Sequence, residues 1–292
     1  MLLVTVIVRQ RHFVGNGSPA AMRPKVLIVA GQEVTRIPLT VPSAAVTQLT
    51  ERVLALHRDG QLSFDLPQEY QYASITLAII DAVCSIGVKY NGVRAAVSRY
   101  CETFGARRFR ALRNPLPAPA EQESVTQLCA RFEDRGSQRM AVEVFKNRQP
   151  TSSKNGILKA EAVWQFAQAL RREGIEYLQD VPPIPSGGLD DAIRAIPGHE
   201  SGISLRYFRM LVGAEDFIKP DRMILRFIDG SRTRGNTGQR TSVTQASSLL
   251  LLVADQLRSD FPDITARRLD HALWEYQRNH MATSDTSGTP ED

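Results

Sequence analysis

The chain has 292 residues, 42% of them hydrophobic, enough to bury one large core or two smaller ones. Its formal charge of +5 is a mild basic excess, and its three cysteines (Cys84, Cys101, Cys129) are widely spaced, with no CxxC. Such a set excludes a disulfide framework and points to reduced thiols in a cytosolic setting; no apolar run approaches the length of a membrane span.

Residues 1–24 read as a leader or a disordered segment, with Met22 as an alternative start to Met1. The opening apolar run is short and has no basic segment ahead of it, so it is not read as a signal peptide. Residues 25–41 are expected as a small β element with a turn at Gly31; Pro38 restricts its second half to an edge. Val46, Leu49, Val53 and Leu56 then share one helical face, and Gly60 stops that helix. Residues 73–86 predict a buried helix. A second helix follows over 91–104, with Val93, Val97 and Tyr100 inward and Gly105 as its stop. Residues 114–120 form a stiff Pro-rich linker. Further helices are expected over 121–133, 137–146, 156–173, 189–195, 242–258 and 265–279, the last capped by Thr265. Cys84, Cys101, Trp164, Phe166 and Trp274 are expected in the core. Residues 229–240 read as a mobile basic loop and 281–292 as a disordered tail. The whole is expected to be mainly α.

Charge is concentrated in two places. Residues 86–115 hold seven bases (Lys89, Arg94, Arg99, Arg107, Arg108, Arg110, Arg113) against Glu102, a local +6. Residues 222–240 hold five arginines against Asp229. Both stretches suit a polyanion partner, or are solvated faces.

Between them lies the segment with most to say: Ile196-Pro197-Gly198-His199-Glu200-Ser201-Gly202-Ile203-Ser204, then Ile218-Lys219-Pro220-Asp221-Arg222. A Pro-Gly hairpin between two helices leaves backbone N–H groups free at a helix N-terminus, where they suit a phosphate oxygen. The second helix starts near Ser201, buries Ile203, Phe208, Met210 and Leu211, and ends at Gly213. Asp221 then opens another helix. As an isolated residue it would be a plain N-cap; a hairpin about 20 residues upstream makes it a candidate for chemistry.

This layout resembles the helix-hairpin-helix glycosylase superfamily, which includes endonuclease III and 3-methyladenine glycosylase. The resemblance covers about residues 73–228. It implies two helical lobes with a catalytic cleft between them: residues 73–212 as a barrel lobe containing the hairpin, and 213–280 as a second lobe joined by residues 25–72. By the same resemblance Asp221 is the catalytic carboxylate, and Pro197, Gly198, His199, Ser201, Gly202, Lys219, Arg222, Arg232 and Arg234 contact DNA. A carboxylate there stabilises a cationic sugar and activates water once the nucleotide is flipped out. The partner is double-stranded DNA, the protein is expected to be a monomer, and no cofactor or metal is expected.

The chain also departs from the family pattern. Gly202 stands where lyase members carry a lysine, which removes a Schiff base at that position. Glu200 replaces a hairpin glycine and would repel phosphate unless it points away. Gly87 stands where endonuclease III has a wedging glutamine, and the iron–sulfur cysteines are missing. The expectation is therefore a monofunctional DNA base-excision glycosylase, with a catalytically inactive DNA-binding, sensor or defence protein on the same scaffold as the alternative. Asp270-His271 looks like a dyad, but its helical context favours a surface or packing role.

Overall fold

A computed structural model describes residues 28–29, 32–33, 41–88, 90–111, 115–183, 187–230 and 241–285. The expected leader over 1–24, most of the β element, Lys89, Arg113, Arg232 and Arg234, most of the 229–240 loop and the end of the tail lie outside them. Within the β region, Ile28–Val29 pairs antiparallel with Gln32–Glu33. Every other element of length among the described residues is helical.

Helix α1 (Ser43–Arg58) is followed by α2 (Ile75–Cys84) and α3 (Tyr90–Phe104). Every residue of α2 is buried, which explains why its sequence reads as a nearly unbroken apolar run rather than an amphipathic one. Helix α4 (Val125–Arg139) has a Ser124–Gln127 capping box and carries a non-helical Gly136 at φ 73°. That kink is the break expected between 133 and 137. Beyond it the chain makes a π-helical turn at Met140–Val144. Helices α5 (Lys159–Arg172), α6 (Gly187–Arg194) and α7 (Ile203–Val212) follow. Gly213, at φ 116°, closes α7 in a conformation that favours glycine. Helices α8 (Arg222–Gly230), α9 (Val243–Leu257) and α10 (Ala266–Asp285) complete the chain, and the Thr265 hydroxyl accepts from the Arg268 N–H at the start of α10.

The buried residues fall into two clusters. The larger runs from Tyr70 to Val212 and is built from α2 to α7. The smaller joins Leu49, Val53, Leu62 and Phe64 to residues between Ile218 and Leu273, so α1 packs with α8, α9 and α10. Fully burying one such aliphatic side chain is worth roughly 1.5–3 kcal/mol, so each cluster supplies its own driving force.

Contacts tie the clusters together at a seam. Arg267, 2% exposed, donates to the Met210 carbonyl at 2.8 Å and pairs with Glu215. The Tyr70 and His271 rings meet edge-on at 5.4 Å, and the Lys219 ammonium donates to Ser85 Oγ at 3.3 Å. No helix among the described residues is long and apolar enough to cross a membrane.

Candidate functional site at the seam of two cores

The seam encloses a pocket of about 50 Å³, room for several waters. Tyr90 of α3 and Tyr207 of α7 reach it from the larger cluster. Lys219, Asp270, His271 and Trp274 reach it from the smaller one. Tyr207 stands five residues beyond the helix cap at Gly202, about 7 Å along the axis by helical rise. The hairpin and the pocket wall are thus carried by one rigid element. Trp274, expected in the core, is instead partly buried against the pocket, with its ring 5.9 Å from Tyr90.

Behind Tyr90 lies Asp81, fully buried on α2. Its Oδ2 accepts from the Tyr72 hydroxyl at 2.7 Å and the Tyr90 hydroxyl at 2.9 Å, while Oδ1 has no partner. Burial raises its pKa to about 6, against the lowering effect of the two tyrosines and Lys219. Asp270 is also buried, and its Oδ1 accepts the Lys219 backbone N–H at 2.9 Å. Desolvation, then the charge of Asp221, hold its carboxyl well above the usual range. The Lys219 amine is lowered by burial, while Asp221, Asp81 and Asp270 oppose the shift. A half-buried amine between three carboxyls stands in a region of low dielectric, where charge interactions are strong.

Asp221 follows two residues after Lys219. Its N–H turns back to the Lys219 carbonyl at 2.6 Å, a tight reversal around Pro220. Its Oδ1 accepts from Met223 N–H at 2.8 Å and Ile224 N–H at 3.3 Å, so the side chain is the N-cap of α8. Oδ2 has no hydrogen-bond partner among the described residues, and the side chain is neither smothered nor fully exposed. Asp221 is not part of the pocket wall; it stands beside it through Lys219 and Asp270. Arg222 is exposed on the same turn.

The hairpin differs from the sequence expectation in two ways. The first is Glu200, whose exposed carboxylate turns back and accepts the Gly198 N–H at 3.0 Å. That hydrogen bond, with its own N–H, holds Glu200 below the ordinary carboxylate range. The amide expected to be free for phosphate is occupied by the chain's own anion. The second is His199, which is 0% exposed and so cannot reach phosphate directly. Its Nδ1 shares a 2.7 Å hydrogen bond with Ser204 Oγ, and burial lowers its pKa to about 4.

The rest of the turn is held from outside. The Thr151 hydroxyl donates to the Pro197 carbonyl at 2.6 Å, and a Cβ on Gly198 would stand 2.6 Å from Thr151. Ser201 is exposed and its Oγ accepts the Ile203 N–H at 3.4 Å. Gly202 is buried at φ 69° as the cap of α7. Any side chain there is strained, so glycine at this position has a backbone reason of its own.

The first basic stretch is largely spent inside the protein. Arg110 is 5% exposed and donates to the Tyr72 carbonyl at 2.9 Å. Arg94 and Arg108 both face Glu69, at 2.8 and 3.9 Å, and Arg99 donates to the Phe145 carbonyl at 2.7 Å. Of the described members Arg94 and Arg107 are exposed. The polyanion surface expected over 86–115 is therefore much reduced.

Asp270 and His271, expected on a surface or packing face, are buried at the pocket. The signal that could have found them is spacing: His271, Trp274, Glu275 and Arg278 recur at three and four residues along one helical stripe, as Tyr90 and Arg94 do on α3. No cluster of three or more metal-ligating side chains exists among the described residues. Comparison with curated proteins finds no match, and comparison with solved structures finds none. A family model described as "Domain of unknown function (DUF8548)" matches residues 48–278, from α1 into α10. The match takes in both cores, the hairpin and every pocket residue named above, and the chain belongs to that family.

Proposed function

We propose that this protein is a monofunctional DNA base-excision glycosylase. The observation that carries the reading is the seam pocket: aromatic rings and ionisable groups from both cores enclose a space directly beside the Lys219-Pro220-Asp221 step. An extruded nucleotide would place its base against Tyr90, Tyr207 and Trp274 and its sugar toward Asp221. The Asp221 carboxylate would stabilise positive charge at the anomeric carbon as the N-glycosidic bond breaks. It would then take one proton from the water whose oxygen bonds to that carbon and pass it to the departing base nitrogen, so that the base leaves neutral and Asp221 returns to its carboxylate. The two-lobed arrangement of the helix-hairpin-helix glycosylases is the fold this reading implies, and the separation of the buried residues into two clusters supports it. Double-stranded DNA is the partner, engaged by the hairpin and by Lys219 and Arg222. The working form is a monomer in the cytosol, with no cofactor.

The test is release of free base from duplexes carrying a panel of deaminated, oxidised, alkylated and mismatched bases. Wild type is expected to release at least one, and Asp221→Asn to bind the same duplex and release none. Release by Asp221→Asn at the wild-type rate would remove Asp221 from the chemistry.

A second reading, a DNA-binding protein without catalysis, is favoured by one observation: Asp221 Oδ1 is committed to capping α8. Salt-sensitive duplex binding by the wild type with no base release across the panel would decide for it.

A further inference from the structure

Each stacking ring of the seam pocket already has a cation of the protein over it. The Lys219 ammonium lies 3.7 Å from the Tyr207 ring centre. The Arg278 guanidinium lies 4.7 Å from the Trp274 ring, and that of Arg94 5.3 Å from the Tyr90 ring. An aromatic face is negative and attracts cations, so a face already covered in this way offers little to a second cation and presents positive charge to whatever enters.

The cations are held in place. Arg94 and Arg278 each follow their ring by four residues on a helix, which sets one above the other. Arg94 is tied to the buried Glu69 at 2.8 Å and Arg278 to Glu275 at 3.3 Å. Lys219 is held through its backbone by Asp270 and through its ammonium by Ser85. The two acids of the pocket wall, Asp270 and Glu275, are engaged as well. Glu275 faces Arg278 and His271, Asp270 accepts the Lys219 N–H, and Asp81 lies behind Tyr90.

His271, in the same wall, is a nitrogen heterocycle that resists a proton: burial lowers its pKa to about 4, and Arg278 and Arg94 add to the effect. A heterocycle arriving from outside meets the same two guanidiniums.

We propose that the seam pocket accepts an uncharged nucleobase and discriminates against a cationic, N-alkylated one. The identity of the ligand as a nucleobase rests on the excision reading; the preference for neutrality rests on the three covered rings alone. Under this assignment the substrates are neutral lesions, such as deaminated or oxidised bases, rather than alkylated purines that carry positive charge.

The test uses the full chain with Trp164→Phe, so that Trp274 is the single fluorescent tryptophan. Its quenching is followed with inosine and uridine, which are neutral, and with 7-methylguanosine and 1-methyladenosine at slightly acidic pH, where both are cationic. The neutral pair is expected to quench at concentrations about tenfold lower or better. Arg94→Gln/Arg278→Gln should narrow that ratio and move the His271 titration, followed by NMR, up toward its ordinary value. Equal or tighter binding of the cationic pair, or no quenching by either pair, overturns the proposal. Base release separates it from the reading it rests on. Neutral nucleosides that bind, with no base released from any duplex, would sink excision and leave the pocket preference standing. Release of 7-methylguanine in preference to uracil or hypoxanthine would do the reverse.

Discussion

Replacing Asp81 with Asn removes a buried charge from behind the pocket, and the resulting change in stability can be worked from the structure. The carboxyl titrates near 3.8 when unfolded and at about 6 in the folded protein, because burial disfavours the anion more than Tyr72, Tyr90 and Lys219 favour it. A gap of about two units corresponds to about 3 kcal/mol. Its sign follows from proton binding. Between the two values the folded state holds more protons than the unfolded one, so raising the pH destabilises the fold. Well below pH 4 the carboxyl is protonated in both states and costs nothing. Above about pH 6 it is ionised in both, and the full penalty of about 3 kcal/mol applies.

Asn keeps an oxygen to accept from the tyrosine hydroxyls but cannot ionise. It places an amide where Oδ1 has no partner, which adds a constant offset of roughly 1–3 kcal/mol at every pH. The readout is therefore the difference between the two proteins. Urea unfolding at pH 4, 5, 6 and 7.5 should show wild type losing about 2.5 kcal/mol relative to Asp81→Asn across that range. Other raised carboxyls, Asp270 and Glu123 among them, contribute to both curves and cancel to first order. Parallel curves would mean that Asp81 is solvated or fully compensated, and the account of the pocket's rear wall would be wrong.

Asp221→Ala should cost about 1 kcal/mol through loss of the α8 cap while Asp221→Asn costs little; equal loss in both would show that the cap is not what the side chain provides. Thr151→Val should destabilise the fold by roughly 1–3 kcal/mol in chemical denaturation, because it leaves the Pro197 carbonyl without its 2.6 Å donor and the Ile157 N–H without an acceptor. An unchanged midpoint would show that the hairpin does not need this buttress. Glu200→Gln should raise affinity for duplex DNA at low salt, because a neutral amide competes less well than a carboxylate for the Gly198 N–H; a fall in affinity would mean that Glu200 is not in competition with phosphate.

Much of the helical framework was legible from local pattern. Apolar spacing, the stops at Gly60, Gly105 and Gly213 and the cap at Thr265 are contacts within one turn of chain, so they can be read without knowing what packs where. The run over 73–86 was legible for the opposite reason. A helix buried on all sides carries no polar face, and its composition says so.

The site was less legible. Asp221 as an N-cap follows from its position after Pro220, and the structure leaves that local reading in place beside the chemical one. The basic stretch over 86–115 misled because counting charges along a chain ignores where carbonyls and acids arrive from elsewhere. Glu69 and the carbonyls of Tyr72 and Phe145 take up four of its arginines. His199 reads as exposed beside a hairpin of small polar residues, yet it is buried next to Phe166 and Ser204.

By itself the sequence determined which stretches are helical, several of the glycine stops, and that a Pro-Gly turn precedes a capped carboxylate, because all of these depend on neighbours a few residues apart; it misplaced other bounds, such as the start of α4 at Val125 and the continuation of α10 to Asp285. The tertiary structure decided which rings and charges share a pocket. Tyr90, Tyr207, Lys219, Asp270 and Trp274 come from α3, α7, the approach to α8, and α10, and they meet only when two separate apolar clusters close on one another. Burial at that seam, and not residue type, sets the ionisation of Asp81, Asp270 and His271, since removing water from a charge depends on everything packed around it.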